Sequence, residues 1–99
     1  SGNHAFASMQ EAITAYENGD IATALKEFTI QAVKGNPIAQ NNLGVIYSSG
    51  EFVNQNLKMA AKWYLLAAEQ GLAVAQVNIG HFYETGQGVE KDIGSAMVW

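Results

Sequence analysis

Apolar and small residues recur along the chain at helical spacing, which predicts a series of amphipathic helices. Side chains three and four residues apart lie on one face of a helix, so their spacing identifies the buried side. The predicted core faces are Ala39, Leu43, Ile46 and Tyr47; Ala60, Trp63, Tyr64, Ala67 and Ala68; and Ala75, Ile79, Phe82 and Tyr83. Alternation with period two, the mark of a half-buried strand, is not the organising pattern.

Capping residues and glycines set the ends of six predicted helices. Ser8 and Glu11 have the spacing of a capping box, and Asp20, Asn56 and Asp92 are suited to cap later helices. Pro37 fits the first turn of a helix. The predicted helices are 8–18, 21–34, 37–49, 57–70 and 74–85, with a sixth after Asp92.

The second half of the chain repeats itself at an offset of 36 residues. Residues 39–63 align with 75–99, pairing Gly44 with Gly80, Tyr47 with Tyr83 and Trp63 with Trp99. A fixed period of this length indicates stacked helical hairpins. Residues 20–35 follow the same register, whereas the first helix is offset by only 31 residues, because its hairpin loop is short.

Gly44 and Gly80 stand in the interior of predicted helices, at equivalent places. Glycine there costs about 1 kcal/mol relative to alanine. Its recurrence predicts that another helix crosses closely at these points, with Ala60 and Ala96 as the expected contacts.

The segment 75–92, AQVNIGHFYETGQGVEKD, resembles the signature of the Sel-one-like repeat, a long-loop relative of the tetratricopeptide repeat. The resemblance covers residues 37–99, and residues 8–36 are similar to a plain tetratricopeptide unit. It implies an all-α, right-handed α-solenoid of antiparallel helix hairpins, with about three repeats. The predicted organisation is 1–7, an N-terminal tail; 8–36, a tetratricopeptide-like hairpin; 37–72, one Sel-one-like repeat; and 73–99, a truncated one.

Two positions depart from the repeat pattern. Ile13 stands where Gly44 and Gly80 stand in the later units, which argues against a uniform superhelix. Phe52 replaces the loop glycine found at Gly88, so the 50–55 loop is expected to differ in conformation from the 86–91 loop.

Charge and composition narrow the classes of partner. The net charge is −4, and all five basic residues are lysines. Without arginine the chain lacks the bidentate fork that grips phosphate and guanine, so nucleic acid and a basic membrane-docking face are disfavoured. No cysteine is present. The chain starts at Ser1, as expected of a piece of a longer protein, and bacterial periplasm and cytoplasm both remain open.

The sequence contains few motifs that are typical of catalytic, metal-binding or cofactor-binding sites. The two histidines, His4 and His81, cannot assemble a metal cluster at a recognised spacing. Gly86 and Gly88 resemble the start of a phosphate loop, but the rest of that motif is missing. The sequence therefore predicts no enzyme activity, no metal and no cofactor.

A binding groove is the favoured site. In α-solenoids the first helix of each hairpin usually lines the concave side. The predicted groove residues are Gln10, Thr14, Asn41, Asn42, Val45, Ser48, Val77, Asn78, His81 and Glu84. Asn42 and Asn78 either hold a partner's backbone or bond to their own helix. By its resemblance to tetratricopeptide grooves, this lining suits a peptide or a partner helix.

The sequence therefore favours a non-catalytic protein-interaction scaffold. An alternative is a cell-envelope module that binds peptidoglycan or another glycan through its Trp and Tyr residues. Because the last repeat stops at Trp99, self-association through that repeat is also expected.

Overall fold

A computed structural model describes the backbone of residues 4–90 and the side chains from Met9 to Glu90. It contains the helices α1 (His4–Glu17), α2 (Ile21–Val33), α3 (Pro37–Ser49), α4 (Leu57–Glu69) and α5 (Ala73–Thr85). Each helix packs against the next in sequence. Over residues 4–90 there is no strand, and the all-α solenoid is confirmed. The molecule is elongated, 45 × 26 × 17 Å, as expected of stacked hairpins.

The predicted caps define the helix starts. Asp20 accepts a hydrogen bond from the Thr23 amide at 3.3 Å, and Asn56 accepts one from the Met59 amide at 3.0 Å. Asn36, one residue before Pro37, also caps its helix, because its side-chain oxygen accepts from the Ile38 amide at 2.9 Å. These side chains satisfy amides that have no partner within the helix.

The start of α1 differs from the prediction. The helix begins at His4, so the Ser8–Glu11 segment lies inside it rather than at its N-terminus. Residues 5–7 are Ala, Phe and Ala, and no glycine or proline interrupts the helix before Ser8. The sixth helix predicted after Asp92, with Ala96 and Trp99, lies outside the described residues.

Two alanine-rich clusters form the core. The first joins α1, α2 and α3 around Phe28, Leu43 and Ile46, and the second joins α4 and α5 around Ile79 and Phe82. Tyr47 packs partly buried against both clusters, and Trp63 packs against the first. The hydrophobic stripes predicted from sequence therefore face the interior.

Tyr64 and Gly44 meet where α4 crosses α3. A Cβ atom added at position 44 would collide with the Tyr64 ring. The atoms nearest to that position belong to the Tyr64 ring, one turn further along α4 than Ala60, the contact expected from the sequence. The ring is held on two other sides: its hydroxyl lies 3.3 Å from the Ser48 hydroxyl, and Phe82 packs edge-on at 5.3 Å between ring centroids.

Glutamine side chains join successive hairpins. Gln40 donates to the Ala32 carbonyl at 3.1 Å, and Gln76, 36 residues later, donates to the Ala68 carbonyl at 3.3 Å. Both acceptors lie at the end of a second helix, where carbonyls lack intrahelical partners. Gln70 also donates to the Gln40 side-chain oxygen at 2.8 Å. These hydrogen bonds help to fix the position of each hairpin relative to the preceding one.

The two hairpin loops differ in conformation, as predicted from Phe52. Gly88 has φ +66°, and a Cβ there would overlap the Leu57 carbonyl. Among the described residues no non-glycine residue has positive φ, so Phe52 adopts a different backbone conformation. Its ring packs edge-on against Tyr16, 6.2 Å away. The loop that contains Phe52 therefore contacts α1 through an aromatic pair, which the loop that contains Gly88 cannot form.

We predict that Gly44→Ala destabilises the protein. Overpacking against the held Tyr64 ring costs about 1–3 kcal/mol, more than the gain of about 1 kcal/mol from alanine's helix propensity. Chemical denaturation should show a net loss in the free energy of unfolding. In a Tyr64→Leu background the same substitution should be neutral or stabilising. Equal effects in both backgrounds would contradict the contact.

We also predict a pH-dependent difference between wild type and Tyr64→Phe. Burial raises the pKa of Tyr64 above its ordinary 10.0, an effect that the Ser48 hydrogen bond partly opposes. The neutral phenol is therefore favoured in the folded state, and its contribution to stability is lost as the pH rises above 10.

Below that pH, Tyr64→Phe should reduce the free energy of unfolding by about 0.5–1.5 kcal/mol through loss of the hydroxyl's hydrogen bond. The difference between the two proteins should shrink at higher pH in urea titrations. A difference that grows with pH would contradict this assignment.

Candidate protein-binding groove

The first helices of the three hairpins, α1, α3 and α5, lie side by side. Residues of α1 and α3 line a common cavity, which shows that these helices are neighbours. Between α3 and α5, the Asn78 side chain donates to the Asn41 side-chain oxygen at 3.2 Å. The solvent-facing surface of these three helices is called the groove face below.

On α1, Gln10 and Thr14 lie in a shallow depression at the α1–α2 hairpin. Its other lining residues include Glu11, Asn18 and Asp20, so the surroundings are polar and acidic. The depression does not include any residue of α3. The structure therefore places these two predicted residues beside the start of α2, apart from the predicted α3 residues.

Asn41 is not on the open surface, contrary to the prediction from its position on α3. Its side chain is only 8% exposed and accepts the hydrogen bond from Asn78. On an isolated α3 this position points away from the core, but the next hairpin covers it. Asn78 itself is half-buried, and its side-chain amide donates one hydrogen bond across the hairpin junction to Asn41.

The remaining predicted residues on α3 are partly accessible. Val45 is 37% exposed, and Asn42 is half-buried. The Ser48 hydroxyl lies within hydrogen-bond distance of the Val45 carbonyl as well as of Tyr64, so it serves the fold. Val45 and Asn42 are thus the α3 residues that combine a place on the groove face with access from solvent.

The α5 residues are the most exposed of the set. Val77 is 68% exposed, and His81 and Glu84 are also exposed. Together with Val45 they are the exposed residues of the predicted site on α3 and α5. A single exposed valine is ordinary, and exposed valines on two successive hairpins could meet a partner's apolar side chains.

A cavity of about 210 Å³ opens between α1, α2 and α3. It unites Asn42 and Val45, both predicted, with four residues outside the predicted site. The lining residues are Ile13, Tyr16, Glu17, Phe28, Asn42 and Val45. The unusual Ile13, which replaces a repeat glycine, was the signal in the sequence that this junction differs from the next.

Charge is divided between the first and second helices. The helices α1, α3 and α5 contain no lysine or arginine, and their acidic residues are three glutamates, at positions 11, 17 and 84. The lysines at 26, 58 and 62 lie on α2 and α4, and Lys34 is the C-terminal cap of α2. The groove face is consequently acidic, and the opposite helices carry the positive charge.

Metal sites and membrane-spanning helices are the two other classes relevant to the described part of the chain. No group of three His, Asp or Glu side chains there could hold a metal ion. None of the described helices has the length and hydrophobicity needed to span a membrane.

These features define a helical repeat protein in which each helix packs against the next along the chain. The pattern of the Sel1 repeat family matches residues 37–72 and 73–99. The chain therefore belongs to the Sel1 repeat family. Repeats of this family form helical scaffolds that mediate protein–protein interactions, and they are generally non-catalytic.

Solved structures support the same assignment. A Sel1 repeat protein from Oxalobacter formigenes is 39% identical, with a TM-score of 0.82, over 89% of this chain and 36% of its own. A protective antigen of uropathogenic Escherichia coli strains, which displays an SLR fold, is 35% identical with a TM-score of 0.86. That match covers 98% of this chain and 22% of the antigen. This chain thus spans about a third or less of the length of these proteins, and no curated protein matches it.

We predict that Asn78→Ala destabilises the stack more than a neighbouring exposed substitution does. Removing the donor leaves the buried Asn41 oxygen unsatisfied, which costs about 1–3 kcal/mol. Val77→Ala, one residue away and largely exposed, should change the free energy of unfolding by no more than about 0.5 kcal/mol. Equal, small effects in urea denaturation would show that the amide bond does not hold α5 against α3.

Proposed function

We propose that the chain is a non-catalytic scaffold segment whose groove face binds a peptide or a partner helix. The observation that carries the proposal is that α1, α3 and α5 are held side by side. Asn42 and Val45 on α3 are accessible to solvent, and Val77 on α5 of the next hairpin is exposed. A surface that crosses hairpins can engage an extended or helical segment at several points.

The composition of this face favours a protein partner over a glycan. Of the aromatic side chains that could stack on a sugar ring, Tyr64 is buried and Trp63 packs against the first core cluster, while the partly exposed Tyr16 and Phe52 pack edge-on against each other. The exposed residues of α3 and α5 instead offer aliphatic and hydrogen-bonding groups, which suit the side chains of a bound segment.

The self-association expected from the C-terminal repeat depends on residues 91–99, which lie outside the described residues. The proposed groove does not depend on it, because the groove residues lie on α1, α3 and α5 within the described range.

The proposal predicts that peptides selected on the wild-type chain lose affinity for a groove variant. The variant carries Val45→Ser, Val77→Ser, His81→Ala and Glu84→Ala. Removing the apolar anchors and their polar neighbours should weaken binding at least tenfold, about 1.4 kcal/mol, as measured by isothermal titration calorimetry. Peptides would come from phage display on the immobilised chain.

A matched variant on the opposite helices serves as the control. Lys26→Ser, Lys62→Ser, Leu66→Ser and Glu69→Ala change four exposed residues of α2 and α4 and should leave peptide affinity unchanged. Circular dichroism would verify that both variants fold. Equal affinity of the peptides for the groove variant and the wild type would overturn the proposal. It would also be overturned if no peptide could be selected and the chain co-sedimented with purified peptidoglycan.

A further inference from the structure

The cavity between α1, α2 and α3 has the size of a pocket for one side chain. Its volume of about 210 Å³ is below the range of about 300–1,000 Å³ that is typical of small-molecule sites. Tyr16, Phe28 and Ile13 give it aromatic and aliphatic walls. Glu17 and Asn42 add one carboxylate and one amide.

The next junction along the stack shows why a cavity exists here. At the repeat offsets, Phe28 corresponds to Tyr64 and Glu17 corresponds to Ser48. In the later junction the Tyr64 and Ser48 hydroxyls lie 3.3 Å apart, so the two polar groups satisfy each other. In the first junction Phe28 has no hydroxyl, and the corresponding position carries the exposed carboxylate of Glu17. A paired, closed contact is thus replaced by an apolar pocket with a charge at its edge.

The chemistry of this lining fits a basic side chain. Lysine and arginine bury an aliphatic stem against apolar walls and keep a charged head at the rim. A cation near the face of a tyrosine ring is attracted by the ring's negative face, and Tyr16 is 36% exposed. The Glu17 carboxylate supplies the counter-charge, and Asn42 supplies a carbonyl acceptor.

The charge of the whole face favours the same partner. Glu17 lines the cavity and Glu84 is exposed on α5, and the described first helices carry no lysine or arginine. Complementary potentials guide association and disfavour partners of like charge. The same acidic surface would repel an acidic segment and attract a basic one.

We propose that the cavity formed by Ile13, Tyr16, Glu17, Phe28, Asn42 and Val45 accepts one lysine or arginine side chain of the bound segment. The stem packs against Ile13 and Tyr16, and the cationic group lies beside Glu17. This assignment rests on the proposed groove function and specifies the residue class that the groove selects at the first hairpin junction.

The test uses capped single residues as probes of the full 99-residue chain. N-acetyl-lysine methylamide, its norleucine counterpart and its glutamate counterpart are titrated at millimolar concentration while NMR spectra are recorded. The lysine probe should shift the Ile13 and Val45 methyl signals and the Asn42 side-chain amide saturably. Norleucine, which has a similar stem but no charge, should bind more weakly, and glutamate should not bind.

Glu17→Gln should weaken the lysine probe by about two- to fivefold, the range of an exposed ion pair, and leave norleucine unaffected. Glu69→Gln, an exposed glutamate at the end of α4, is the matched control and should have no effect. Norleucine binding as well as lysine would overturn the basic side-chain proposal, and so would signals that shift elsewhere on the chain.

The outcomes separate this proposal from the groove itself. If selected peptides still require Val45, Val77 and His81 while the lysine probe leaves the cavity signals unmoved, the groove stands and the cavity proposal fails. If the selected peptides bind the groove variant normally, the groove function fails whatever the probe does.

Discussion

The contact between the Tyr64 ring and Gly44 is the constraint on which the arrangement of the later hairpins depends. Only a residue without a side chain lets the ring lie directly on the α3 backbone. The ring also meets Ser48 through its hydroxyl and Phe82 through its edge. One side chain of α4 thereby fixes the distances to both α3 and α5. The side-by-side placement of these helices, and therefore the groove face, follows from that geometry.

In the first hairpin, both residues of this contact are replaced. Ile13 replaces the glycine, and Phe28 replaces the tyrosine. The aromatic ring still reaches the core, where Phe28 is almost fully buried and packs against Tyr16. What changes is the outer edge of the junction, which opens into a cavity. The fold tolerates the change because stacking depends mainly on the buried faces, and a repeat protein can therefore vary its binding surface one unit at a time.

Features of the sequence that depend on local chemistry were predictable. The caps at Asp20 and Asn56, the apolar faces and the difference between the two loops all follow from short segments of chain. The burial of Asn41 was not predictable, since its position points to solvent until Asn78 of the next hairpin covers it.

The covering of Gly44 shows the same limit. The sequence predicted a close approach at this glycine, because the repeated cost of a helical glycine requires a packing reason. It could not choose between Ala60 and Tyr64, which lie one turn apart on α4. That choice depends on how far α4 is displaced along α3, a tertiary quantity that periodicity does not encode.

The composition of the core explains why contacts between hairpins matter so much. Five of the eight buried residues in each core cluster are alanines. Alanine buries little apolar area, and hydrophobic stabilisation is roughly proportional to that area. Each hairpin alone is therefore weakly stabilised, and the glutamine bonds and the Tyr64 contact contribute a large share of what joins the units. A partner lying across α1, α3 and α5 would bind the folded stack but not the unfolded chain. Its binding free energy would add to the stability of the array, so recognition and folding are coupled through the same hairpin junctions.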